Sequence, residues 1–176
     1  MRPLILIVLL VAVIACVVPS LPAGPGRPLQ SEVQKQPGNG HALAVIVHRS
    51  NPVENVSFAE LRKIFLGERS HWSNGRRITV VMLDSGRPER EAVIKNVYQM
   101  KERDFNRYFV QATFVGEVFS APKTLATPTG ARKFVFNLPG AIGYVPVEDV
   151  DHSVKVVRVD GRLPREEGYK LMFETP

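Results

Sequence analysis

Residues 83–91 read Leu-Asp-Ser-Gly-Arg-Pro-Glu-Arg-Glu, placing a hydroxyl, a glycine and two guanidinium groups around the start of a helix. Ser and Gly ahead of Pro cap a helix, and the same arrangement leaves backbone N–H groups able to hold an oxyanion. Arg87 and Arg90 would add charge-assisted donors at the positive end of the helix dipole. Asp84, Glu89 and Glu91 surround the same corner. They complement the dipole themselves and would repel a dianion. A structural cap and a weak anion site therefore both fit this stretch.

A second corner, Leu125-Ala126-Thr127-Pro128-Thr129-Gly130, offers two hydroxyls at a helix start with Arg132 and Lys133 nearby and no adjacent acid. On charge alone it is the better anion site of the two, but its first reading is a plain N-cap, which leaves Thr127 and Thr129 as secondary candidates. His41, His48, His71 and His152 are scattered, without the spacing of a metal or acid–base centre. No nucleophile elbow, phosphate-cradling loop, zinc-protease motif or dinucleotide fingerprint occurs, so neither an enzyme nor a cofactor is expected.

The elements that must position these corners are legible in outline. Residues 42–50, a β-branched run, read as a buried strand that Asn51-Pro52 ends. Ser57-Phe58-Ala59-Glu60 is a capping box opening a helix with Phe58, Leu61, Ile64 and Phe65 on one face and a stop at Gly67. Asn74-Gly75 marks a tight turn with Trp72 as its packing anchor, and Ile78–Leu83 is a strand. Behind the first corner a helix turns Val93, Ile94, Val97 and Tyr98 inward. A helix from Glu102 carries Phe105, Tyr108, Phe109 and Ala112. The Thr127-Pro128 corner starts a helix with the stripe Ala131, Phe134, Val135 and Leu138. Residues 138–146 supply a break and a strand, and residues 153–161 a last strand. Strands alternating with helices predict a three-layer α/β domain.

Upstream lies a different composition. One positive charge, Arg2, precedes an apolar run from Leu4 to Cys16 that is shorter than the roughly 20 residues a bilayer span needs. Residues 1–23 read as a signal segment, with an uncleaved N-terminal anchor as the alternative. The run Val13-Ile14-Ala15-Cys16 is similar to a bacterial lipobox, which would make Cys16 the lipidated residue; cleavage after Ala23 is the other reading. Residues 24–40, dense in Pro, Gly and Gln, read as a flexible tether, and 41–176 as the folded domain. Cys16 is the only cysteine, so that domain has no internal disulfide.

The formal charge of +6 favours anionic partners. Residues 60–110 hold eleven Lys or Arg against seven Asp or Glu, but their aromatics fall on core-facing helix stripes. A nucleic-acid surface would instead interleave aromatics with a basic stripe, so no nucleic-acid partner is expected.

Taken in order, residues 42–53, Ser57–Gly67, the Trp72–Gly75 turn, the strand and corner after it, and Pro139–Val145 resemble the phosphate-type substrate-binding proteins of ABC importers. The likeness runs from Ala42 to Val147. It implies a periplasmic-binding-protein-like type II fold, here shortened to one lobe, in an exported protein that is periplasmic or lipid-anchored. It also implies a small anion such as phosphate as ligand and a membrane transporter as partner. Ser85, Gly86 and Arg87 stand where the family carries a Ser-Gly-Thr corner, and Thr127 and Thr129 would face the cleft as secondary ligands. Arg87 replaces the Thr, and Val80–Leu83 fill the space where the family often has an Arg. The implied function is a low-affinity oxyanion-binding module. A homodimer would supply the missing cleft wall. The alternative is an interaction or sensory module that keeps the fold without the ligand.

Overall fold

The computed structural model describes residues 40–175. The apolar run, Cys16 and the tether up to residue 39 lie outside the described residues.

The long central strand β1 (Gly40–His48) starts two residues before the β-branched run, at Gly40. Ala42 to Val47 are buried without a break, as expected of a strand covered on both faces. It is followed by β2 (Asn55–Val56), α1 (Phe58–Leu66) and β3 (Thr79–Leu83). The helix α2 (Pro88–Val93) runs on into a π-helical turn at Ile94–Tyr98, and α3 (Glu102–Phe114) follows. Then come β4 (Lys123–Leu125), α4 (Pro128–Asn137), β5 (Ala141–Pro146), β6 (Val154–Val156), β7 (Arg158–Val159) and β8 (Met172–Glu174).

The main sheet has the order β4-β3-β5-β1-β6, with β8 also pairing β1. β3 is parallel to both β4 and β5, whereas β1 is antiparallel to β5, β6 and β8. Three parallel strands therefore end on the same side of the molecule. Consecutive residues of β5 show what covers the two faces. A Cβ built on Gly143 would lie 3.6 Å from Val135 of α4, while the next residue, Tyr144, points to α1 with its ring 6.4 Å from Phe65. Helix α4 thus covers one face, and α1 with the π-helical turn covers the other. This is a single α/β domain of three layers.

Local chemistry explains the element ends. Ser57 accepts from the Glu60 N–H at 3.1 Å while the Glu60 carboxylate accepts from the Ser57 N–H at 3.1 Å, completing the capping box. Gly67 ends α1 in the left-handed region at φ 82°, packed against Val118. The Trp72 indole donates to the Gly140 carbonyl at 3.0 Å, so the turn residue is anchored to the segment that precedes β5. Val93, Ile94, Val97 and Tyr98 are all buried, as the helical spacing predicts.

Three strands escaped the periodicity. β4 has three residues, none of them fully buried, and β2 has only two. β8 closes onto the start of β1 from the far end of the chain. Residues 153–161 are not one strand: β6 pairs β1, and beyond Val157 the chain leaves the sheet so that β7 pairs β2 in parallel. Leu138 falls beyond the end of α4 and is exposed, because the helix stops before Pro139.

Asp160 ties this last segment to α1. Its carboxylate accepts from the Phe58 N–H at 2.8 Å and from the Lys170 ammonium at 2.7 Å. The Lys170 bond first, and then the Phe58 bond, hold its pKa below the ordinary 3.8. A carboxyl with a lowered folded pKa contributes stability above its unfolded pKa and loses it as pH falls through the folded one. Asp160→Asn should therefore cost about 0.5 kcal/mol at neutral pH, small because solvent screens the pair. The difference from wild type should shrink as pH falls below 3.8 and vanish only below the lowered pKa of the folded state, as denaturation across that range would show.

Candidate anion-binding site

The corner after β3 and the corner after β4 lie side by side. β4 pairs with β3 in parallel from Val81↔Lys123 to Leu83↔Leu125, and the Asp84 N–H donates to the Leu125 carbonyl at 3.1 Å. Arg87 reaches across to the Ala126 carbonyl at 3.4 Å. The chain leaving β3 passes into α2 and the π-helical turn on the Tyr144 face, whereas the chain leaving β4 enters α4 on the opposite face. Beyond adjacent strand ends whose connections diverge in this way is where open α/β sheets take their ligands. Ser85, Gly86, Arg87, Thr127 and Thr129 all belong to these two corners.

Each donor has a definite local state. Gly86 adopts φ 80°, which favours glycine, and a Cβ added there would meet nothing within 4 Å. The backbone of this turn therefore faces open space. Thr127 is the N-cap of α4 and accepts from the Gly130 N–H at 3.0 Å, so its oxygen is already engaged. Thr129 is exposed in the first turn. With Pro at the first helical position of both α2 and α4, the next N–H groups, of Glu89 and Thr129, have no carbonyl four residues back to take them.

The charges are arranged less openly. Arg87 folds back onto Glu89, donating through Nε at 3.3 Å and Nη2 at 3.1 Å, and Glu89 is buried. Arg90 is buried under the corner. Its guanidinium donates to the Leu83 carbonyl at 2.9 Å and forks onto Glu102, with Nη2 at 2.8 Å and Nε at 3.0 Å from Oε1. Its face lies 5.0 Å from the Phe105 ring centroid. The Ser85 hydroxyl also points to Glu102, 3.5 Å away, at the limit of a hydrogen bond. The Tyr144 hydroxyl accepts from the Leu83 N–H at 3.3 Å, and burial pushes this phenol well above its ordinary pKa.

Two expectations change here. Arg90 is not an available cation beside the corner, because packing against Phe105 and Glu102 removes it from solvent. Arg132 is not free beside Thr129 either, since it turns to Asp151 at 3.1 Å and to the Asp149 carbonyl. Glu102, seventeen residues from Ser85, was not assigned to the corner by the sequence; its place depends on how α3 returns over α2.

His48 meets Ser50 at 2.9 Å and His71 meets Ser70 at 2.9 Å, both local contacts, whereas His41 lies 3.6 Å from Glu148, far along the chain. Among the described residues no group of three or more His, Cys, Asp or Glu is placed to hold a metal ion. Among them, too, no helix is long and apolar enough to cross a membrane.

No family model matches the chain. Solved structures do. The chain is similar to an ABC-type phosphate transport receptor from Vibrio cholerae at 18% identity and a TM-score of 0.63, over 77% of this chain and 55% of that one. It is similar to PstS from Borrelia burgdorferi at 17% identity and a TM-score of 0.60, over 77% of this chain and 56% of the other. The chain thus spans about half the length of the solved structures it matches. What it shares with them, over that half, is the periplasmic-binding-protein-like α/β fold.

Proposed function

We propose that the domain is an extracytoplasmic oxyanion-binding module of low affinity, taking a phosphate-like anion in the crevice beyond β3 and β4. The observation that carries this reading is the convergence of the two corners at adjacent strand ends with connections to opposite faces. Ser85, the backbone of Gly86 and Arg87, and Thr127 and Thr129 would surround the anion. Low affinity follows from the same geometry. The anion has to compete with Glu89 for Arg87 and with Glu102 for Ser85, and it sits in a crevice with one wall, where water and salt screen each contact. A second copy of the chain would supply the other wall. An apolar N-terminal run, read as a signal or anchor, agrees with work at the outer face of a membrane beside a transporter.

Thermal unfolding in phosphate, sulfate and chloride at matched ionic strength tests this. Phosphate should raise the midpoint above the chloride control, and the rise should disappear in the Ser85→Ala, Arg87→Glu double variant. A rise unchanged in that variant excludes the corner.

The Glu102 carboxylate also favours a second reading, in which the fold persists as an interaction module whose corner is closed by its own acid. Glu102→Gln separates the two. Removing the negative charge should tighten phosphate binding several-fold if the corner is a weakened site, and should leave phosphate without effect if it is not one.

A further inference from the structure

The opposite end of β3 borders a separate groove of about 490 Å³. β4 pairs with β3 only from Val81 onward, so on that side the start of β3 has no strand partner, and residues 118–122, ahead of β4, border the open groove. The floor is apolar: Phe65, Val80, Phe109, Val118 and Phe134 contribute to it from both faces of the sheet. The rim carries Arg69, Arg77 and Lys123 with four hydroxyls, and among the described residues no Asp or Glu lines any part of it. Arg69 is engaged with Glu60 at 3.6 Å. Arg77 and Lys123 form no ion pair among the described residues. Arg77 lies instead over the ring of Phe119 at 3.7 Å, and Phe119 as a residue is 76% exposed.

We infer that this groove binds a small organic anion with an aromatic or aliphatic body, its charged group meeting Arg77 and Lys123. The volume lies within the range of small-molecule sites, roughly 300–1,000 Å³. Charge selects the ligand class. A cation would face two unpaired positive groups, and a bare inorganic anion would leave the apolar floor wet. An apolar body bearing one carboxylate, sulfonate or phosphate satisfies both parts. Phe119, already stacked on Arg77, is placed to cover the ligand's body. The site is independent of the anion crevice, because the two lie at opposite ends of a five-residue strand.

The test is a fluorescence titration of the full chain with anilinonaphthalene sulfonate, an aromatic anion, combined with amide-shift mapping. One saturable site should appear, with shifts at Arg77, Thr79, Phe119, Lys123 and Thr124. Lys123→Glu, a change at an exposed side chain, should weaken binding about tenfold, from ~1.4 kcal/mol of lost attraction. Arg77→Glu should weaken it at least as much, and Ser85→Ala should have no effect. The neutral analogue phenylnaphthylamine should bind more weakly than the sulfonate. Equal affinity in wild type and Lys123→Glu, equal binding of the two dyes, or shifts confined to residues outside the groove would each overturn the inference.

Discussion

Gly140→Ala is expected to destabilise the domain by about 3 kcal/mol or more, the upper end of what overpacking costs. A Cβ at this position would stand 2.1 Å from the Arg77 carbonyl oxygen, a backbone atom with little room to retreat. The two residues that follow Arg77 are both anchored. The Ile78 N–H donates to Ser70 at 2.8 Å, and the Thr79 N–H donates to Gly140 itself at 3.2 Å. The Gly140 carbonyl also holds the Trp72 indole. Any shift that relieves the clash therefore loosens the Trp72 turn and the register of β3 against β5. Gly75→Ala is the informative control. Gly75 has φ 78° and open space around its Cβ, so only backbone strain of about 1 kcal/mol is expected there. Denaturant unfolding of the two variants checks the ordering; equal losses would mean that close approach is not what Gly140 provides.

Arg90→Met is expected to cost roughly 2–3 kcal/mol, because removing one partner of a buried pair leaves the rest uncompensated. The groups left behind are the Leu83 carbonyl and Glu102, which is about 39% exposed and can partly rehydrate. That exposure keeps the loss below the value for a fully enclosed pair. Arg90→Lys should recover only part of it, since an ammonium cannot fork onto Glu102 while also reaching Leu83. Full stability in Arg90→Met would show that the guanidinium only fills space against Phe105.

The contrast between these positions shows what a sequence can and cannot carry. Ser57, Glu60 and Gly67 act within one helix, and their roles follow from spacing alone. The stripe Val93, Ile94, Val97 and Tyr98 was equally readable, because burial follows a helical period even where the backbone widens into a π-helical turn. Trp72 could be assigned to its turn, but not to Gly140, sixty-eight residues on. The site was legible only as two separate corners. Their adjacency depends on β4, three residues whose side chains carry no apolar alternation. The acids were readable as neighbours in sequence, yet the carboxylate that engages Ser85 and Arg90 is Glu102, brought in by the return of α3. Arg132 likewise turned to Asp151, nineteen residues away in a loop. Charge pairing of this kind is decided by tertiary packing, which local pattern does not encode.

The proposed function requires a phosphate-like anion to bind between the two corners. It is tested most directly by phosphate titration of the isotope-labelled full chain at constant ionic strength, followed by nitrogen–proton correlation spectra. Saturable shifts are expected at Gly86, Arg87, Glu89, Thr129 and Gly130, weak in affinity and absent when chloride replaces phosphate. Shifts that do not saturate, that chloride reproduces, or that cluster away from these two corners would contradict it.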